Sequence, residues 1–164
     1  MVLAPSPRFE PARSTTVALM RRVQRSAQIA ATPAEVYGFL SEPANLPRWQ
    51  AGIVAAERTS PPPTTVGSTA RVVLELMGQQ VTAEITVSEA DPDRRLALAA
   101  SVSGMGIVAT LDLEPHDGGT QITLSSEVRA ENIFMAPLER MVTDTAERDL
   151  DASLARLAAA LTGD

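Results

Sequence analysis

Neither cysteine nor lysine occurs in this chain of 164 residues. The first absence removes disulfides, thiol nucleophiles and zinc sites of the cysteine type. The second removes Schiff-base chemistry and the phosphate-gripping lysine of a P-loop. All 14 basic side chains are arginine, which, with abundant Ala and Pro, reads as the composition of a high-GC genome rather than as a mechanism. Aromatics supply only 3% of the residues, so the interior must be filled by Leu, Val, Ile, Ala and Met. The single histidine, His116, cannot build a multi-histidine metal site, and it stands in His116-Asp117-Gly118-Gly119, a strong hairpin-turn signal. No metal and no cofactor is expected.

A formal charge of −6, with no basic run beyond pairs such as Arg21-Arg22 and Arg94-Arg95, argues against nucleic acid as a partner. No stretch approaches the roughly 20 apolar residues that cross a bilayer, so no stable membrane insertion is expected and the default location is cytoplasmic. Residues 1–20 carry Pro5, Pro7 and Pro11 among scattered Arg, Ser and Thr, without the apolar core of a signal peptide. They read as a disordered tail, with Met20 an alternative start. Residues 21–164 are enough for one domain with a sizeable core.

After Val23, Ala27 and Ile29 share strand parity over about 22–30, Thr32-Pro33-Ala34-Glu35 marks a helix start. Val36, Phe39 and Leu40 then recur at helical spacing, and a second short helix carries Leu46 and ends near Trp49. After Gly52 the period changes to two. Val72, Leu74 and Leu76 alternate with Arg71, Val73 and Glu75, and Val81, Ala83 and Ile85 with Thr82, Glu84 and Thr86; the same period of two runs through Leu96, Leu98, Ala100 and Val102, through Ile107, Ala109 and Leu111, and through Ile122, Leu124, Ser126 and Val128. An antiparallel sheet covered on one face is the expected arrangement. Leu138, Met141, Val142, Thr145, Leu150, Leu154, Leu157 and Leu161 finally trace the apolar stripe of one long helix.

That order, with Ala31-Thr32-Pro33-Ala34-Glu35-Val36-Tyr37 opening the helix pair, Trp49 after the second helix and Val66-Gly67 within the strand run, resembles the START-like superfamily (SRPBCC), which includes polyketide cyclase/dehydrase and lipid-transport proteins. The likeness covers about Arg22 to Leu161. It implies an α+β helix-grip fold: a curved antiparallel sheet of about seven strands around a long C-terminal helix, two short helices after the first strand, and a ligand cavity between sheet and helix. It also implies a small hydrophobic molecule, such as a lipid, sterol or polyketide, as the partner.

The residues expected to line the cavity are Leu74, Ile85, Leu98, Ala100, Ala109, Leu124, Met141, Val142 and Thr145, with Phe39 and Trp49 near its mouth. The small residues Ala83, Ala100 and Ala109 stand where bulk would fill a solid interior, which points to open space. Trp49 is either a wedge under the second helix or part of the rim. Tyr37 is either a helix-surface residue or a hydrogen-bonding group at the pocket edge. Ser126 and Thr145 are inward polar candidates, and Arg25, on the inward parity, either reaches solvent or pairs with a ligand carboxylate. No acid–base pair stands out, so catalytic residues stay unassigned. Three readings remain: a binder of hydrophobic molecules, a cyclase or dehydrase, and a regulatory or toxin-like interaction protein with a vestigial cavity. The chain would act as a monomer or homodimer.

Overall fold

The computed structural model of the chain describes residues 20–76, 78–102, 104–130 and 136–163. Strand β1 (Met20–Ile29) is stopped by Thr32 and Pro33: the Thr32 hydroxyl accepts from the Glu35 N–H at 3.2 Å, and Pro33 opens α1 (Pro33–Leu40). A 3-10 turn (Pro43–Asn45) and the single turn of α2 (Leu46–Trp49) follow. The chain then forms β2 (Ile53–Arg58), β3 (Thr69–Leu76), β4 (Gln79–Asp91), β5 (Arg95–Val102), β6 (Met105–His116) and β7 (Gly119–Ala130), and closes with α3 (Ala136–Thr162).

The strands make one seven-stranded antiparallel sheet in the order β1-β7-β6-β5-β4-β3-β2. Strands β2 to β7 pair with their neighbours in sequence, whereas β1 pairs with β7, Arg25 opposite Leu124 and Ala27 opposite Ile122. Register shifts at Ile53/Ala55 and at Val87/Glu89 are bulges, which bend and twist the strands that carry them. The β6–β7 hairpin turns on Asp117 (φ 46°) and Gly118 (φ 78°), the two positive values that a tight primed turn requires. Gly119 follows because the chain leaving β1 passes directly over it. A Cβ at that position would collide with the Ile29 carbonyl oxygen.

The alternation read from the sequence places the core. Val72, Ala83, Ile85, Leu96, Leu98, Leu111, Ile122 and Leu124 are buried on the sheet, facing Val36, Leu40, Leu46 and Trp49 of the short helices and Leu150, Leu154 and Leu157 of α3. Arg148, Asp151 and Arg156 are exposed on the opposite side of α3. Removing three such leucines from water stabilises the fold by roughly 1.5–3 kcal/mol each.

Several expectations need correction or fall outside the described residues. Met20, assigned to the tail, is the first residue of β1 and lies opposite Arg129; residues 1–19 lie outside the described residues. Tyr37, placed beside the apolar stripe of α1, is buried, because β5, β6 and β7 all approach that helix. Thr145, placed on the buried face of α3, is exposed, because the sheet and helix diverge there instead of packing. The side chains of Leu138, Met141 and Val142 lie outside the described part of the structure.

Candidate functional site

Where sheet and α3 diverge they enclose a cavity of about 150 Å³. Its floor is Leu74 of β3, Val102 of β5, Ile107 and Ala109 of β6, and Leu124, Ser126 and Val128 of β7, all on the inward parity of their strands. Its roof is Thr145, Ala146, Asp149, Leu150 and Ser153 of α3, and Gln50-Ala51-Gly52 closes one end. Glu75 and Thr145 are exposed and mark the opening. A smaller space of about 50 Å³ continues along the sheet under Ile53, Val72, Ile85, Leu98 and Ala100, with Gln50, Leu74, Val102, Ile107 and Ala109 lining both. Past Ile85 and Leu98 a third space of about 20 Å³ lies beside Arg58. That is room for about one water molecule.

The polar groups concentrate at the Gln50 end. Gln50 Oε1 is buried and accepts no hydrogen bond from any described residue. The Ser153 hydroxyl accepts from the Ala51 N–H at 2.9 Å, which anchors that segment to α3. Burial raises the Asp149 carboxyl pKa above its ordinary 3.8, against the lowering influence of Arg148 and Arg156. Gly52, with φ +92°, brings the backbone up to this group: a Cβ there would stand 3.6 Å from Asp149 Oδ2.

At the other end Arg58 points inward from the edge strand β2. Its Nη2 donates to Thr64 Oγ1 at 2.8 Å and to the Ser41 carbonyl at 3.4 Å, with Glu42 Oε2 at 3.8 Å. Its Nη1 is buried without a partner among the described residues.

Of the residues expected at the site, Leu74, Ala109, Leu124, Ser126 and Thr145 line the main cavity, and Ile85, Leu98 and Ala100 line its continuation. Ala83 is buried but faces neither. Trp49 is 0% exposed and lines none of these spaces; it belongs to the buried core, and α2, which carries it, packs against α3 and β2. Phe39 lies outside the cavity, its ring 5.1 Å beneath the Arg48 guanidinium. Tyr37 is also outside it. Burial is the main cause that pushes its phenol pKa above 10, partly countered by the nearby Ser41 hydroxyl, although its OH makes no direct hydrogen bond among the described residues. Arg25 reaches the surface, its side chain 40% exposed, and pairs there with the protein itself: its Nε meets Asp151 Oδ1 of α3 at 3.3 Å and its Nη1 donates to the Gln24 carbonyl. His116 is exposed at the hairpin, 3.2 Å from Asp117 Oδ2 and away from the cavity.

Sequence reasoning missed Gln50 and Asp149. A signal for the second was present: Thr145, Asp149 and Ser153 recur every four residues, a polar stripe running beside Leu150 and Leu154. Among the described residues no group of three or more acidic or histidine side chains is placed to hold a metal ion. Nor is any described helix long and apolar enough to cross a membrane.

Comparison with solved structures returns this architecture repeatedly. The chain is similar to the Zhui aromatase/cyclase of a Streptomyces species (TM-score 0.72, 17% identity, covering 87% of this chain and 94% of that one). It is also similar to a START superfamily protein of Mycobacterium smegmatis (TM-score 0.71, 14% identity, 87% and 97% covered). The third, TTHA0849 of Thermus thermophilus, gives a TM-score of 0.71 at 18% identity, with 87% and 98% covered. At these identities the likeness is one of fold. Comparison with curated proteins gives no significant match. The sequence profile described as polyketide cyclase/dehydrase and lipid transport matches residues 20–162, so the curved sheet, the closing helix and the space between them are those of a member of that family.

Proposed function

We propose that this protein binds a small, mainly apolar molecule between the concave face of the sheet and α3. The observation that carries the reading is the cavity of about 150 Å³, lined chiefly by aliphatic side chains and open to solvent beside Thr145. A comparable apolar cavity of roughly 150 Å³ holds a benzene ring, so this one suits a single ring or a branched chain of similar bulk. The continuation of about 50 Å³ beyond Ala109 gives room for a substituent or a second fused ring. A site built of aliphatic walls with a few convergent polar groups is the usual form of a small-molecule pocket.

The experiment is native mass spectrometry of freshly purified protein, followed by calorimetric titration with fatty acids, sterols and flat aromatic compounds. At least one class is expected to bind. Ala109→Trp, which fills the cavity from its floor, is expected to abolish that binding while the circular dichroism stays native. Absence of binding by every class rejects the reading.

One observation favours an enzymatic version. Asp149 lines the cavity, and burial raises its pKa, which suits a carboxyl that exchanges a proton with a bound molecule. The fold neighbour Zhui is an aromatase/cyclase. In this version Asp149 moves the proton, Ser126 and Thr145 orient the substrate, and the aliphatic walls exclude water. Asp149→Asn would then keep binding and lose turnover of a polyketide-like substrate. Equal turnover by that variant rejects the enzymatic version alone.

A further inference from the structure

We infer that the cavity takes ligands presenting a hydrogen-bond donor to Gln50 and Asp149, and turns away ligands presenting a carboxylate. This rests on the proposed reading that the cavity binds a small molecule. Two observations converge on it. Gln50 Oε1 is buried between the main cavity and its continuation with no donor among the described residues, and a buried acceptor left empty costs free energy. A bound hydroxyl or ammonium would donate to that oxygen.

The charge of the lining is one-sided. Asp149 and Glu75 both line the cavity, and among the described residues no arginine does; Arg58 lines only the space of about 20 Å³ at the far end. Arg148 and Arg156 lie near enough to act on Asp149 but outside the lining, and burial of the carboxyl outweighs them. Arg25, the cation on the inward parity, is engaged with Asp151. A ligand carboxylate would therefore face two like charges without a counter-ion.

The remaining hydroxyls do not reverse this. The Ser153 oxygen already accepts from the Ala51 N–H. Ser126 and Thr145 can donate or accept, so they tolerate either ligand and select neither.

The test is calorimetric titration of the full chain with a matched set: 1-naphthol, 1-naphthylmethylamine, 1-methoxynaphthalene and 1-naphthoate. The four share one ring system and differ in what they offer to the polar end. At least one of the two donors is expected to bind about tenfold or more tighter than both the ether and the carboxylate. Which donor binds tighter identifies the source as neutral hydroxyl or ammonium. Gln50→Leu is expected to reduce the preferred donor to the affinity of 1-methoxynaphthalene and to leave the ether unchanged; the wild-type series stands without it. Equal affinity of the preferred donor and the ether overturns the inference and leaves the binding function standing. Tightest binding of naphthoate overturns it by showing that the Gln50 amide presents N–H rather than oxygen. No binding by any of the four overturns the inference, and the binding function falls with it only where fatty acids and sterols fail to bind as well.

Discussion

Ser153, in the middle of α3, accepts a hydrogen bond of 2.9 Å from the backbone N–H of Ala51, 102 residues earlier in the chain. Ser153 is only 2% exposed, so few waters compete for its hydroxyl. It fixes the Gln50 end of the cavity to its roof.

Loss of that bond is therefore expected to cost more than an exposed serine would. Ser153→Ala leaves the Ala51 N–H without a partner, at about 1–3 kcal/mol. The check is the denaturant midpoint against that of Ser101→Ala, an exposed serine of β5. Equal midpoints would show that another group takes the N–H.

Asp149 predicts an inverse dependence on pH. Its folded pKa is raised, so above the ordinary value of 3.8 the native state holds the proton more tightly than the unfolded chain. Its contribution is thus fully present below that value and is lost as pH rises through the folded pKa. Asp149→Asn is expected to stabilise the protein relative to wild type near about pH 7, with the gain fading toward about pH 3. Thermal melts across that range check it, and a gain that grows in acid would contradict the sign.

Leu154 is 5% exposed and Arg156 is exposed on the same helix. Leu154→Ala is expected to destabilise by about 2–5 kcal/mol, whereas Arg156→Ala changes stability by less than about 0.5 kcal/mol. Chemical denaturation of the two variants measures both.

Two glycines should respond in opposite directions. Gly38 lies in α1 with nothing within 4 Å of an added Cβ, so Gly38→Ala is expected to stabilise by about 0.5–1 kcal/mol. Gly119→Ala drives its methyl into the Ile29 carbonyl and should lower the melting temperature by many degrees or prevent folding. Melting curves of the pair decide.

The fold was legible because two periods alternate cleanly along the chain. Leu96, Leu98, Ile122 and Leu124 announce a half-buried sheet, and Leu150, Leu154 and Leu157 announce the helix laid across it. Strand β2 was harder to place, since Ile53-Val54-Ala55-Ala56 is apolar on both parities and carries a bulge that resets them. The cavity floor followed from parity and small residues, as Ala100 and Ala109 illustrate. The polar end did not. Gln50 owes its place to a short segment after α2 with no period, and Asp149 looks in sequence like any other charge on a solvated helix face. Burial by a distant part of the chain is what distinguishes it.

The order β1-β7-β6-β5-β4-β3-β2 also sets a sequence of events at birth. Strands β2 to β7 can zip up one after another as the chain emerges, each finding its partner beside it. Strand β1 emerges ahead of them all, yet its partner strand is β7, Met20 waiting for Arg129 and Ile29 for Thr120. During most of synthesis it is an unpaired edge, the state in which strands recruit one another into aggregates. Arginines at positions 21, 22 and 25 make this a poor template for such pairing. Closure of the longest loop in the chain falls to the final stage, and a topology so dominated by distant contacts folds slowly.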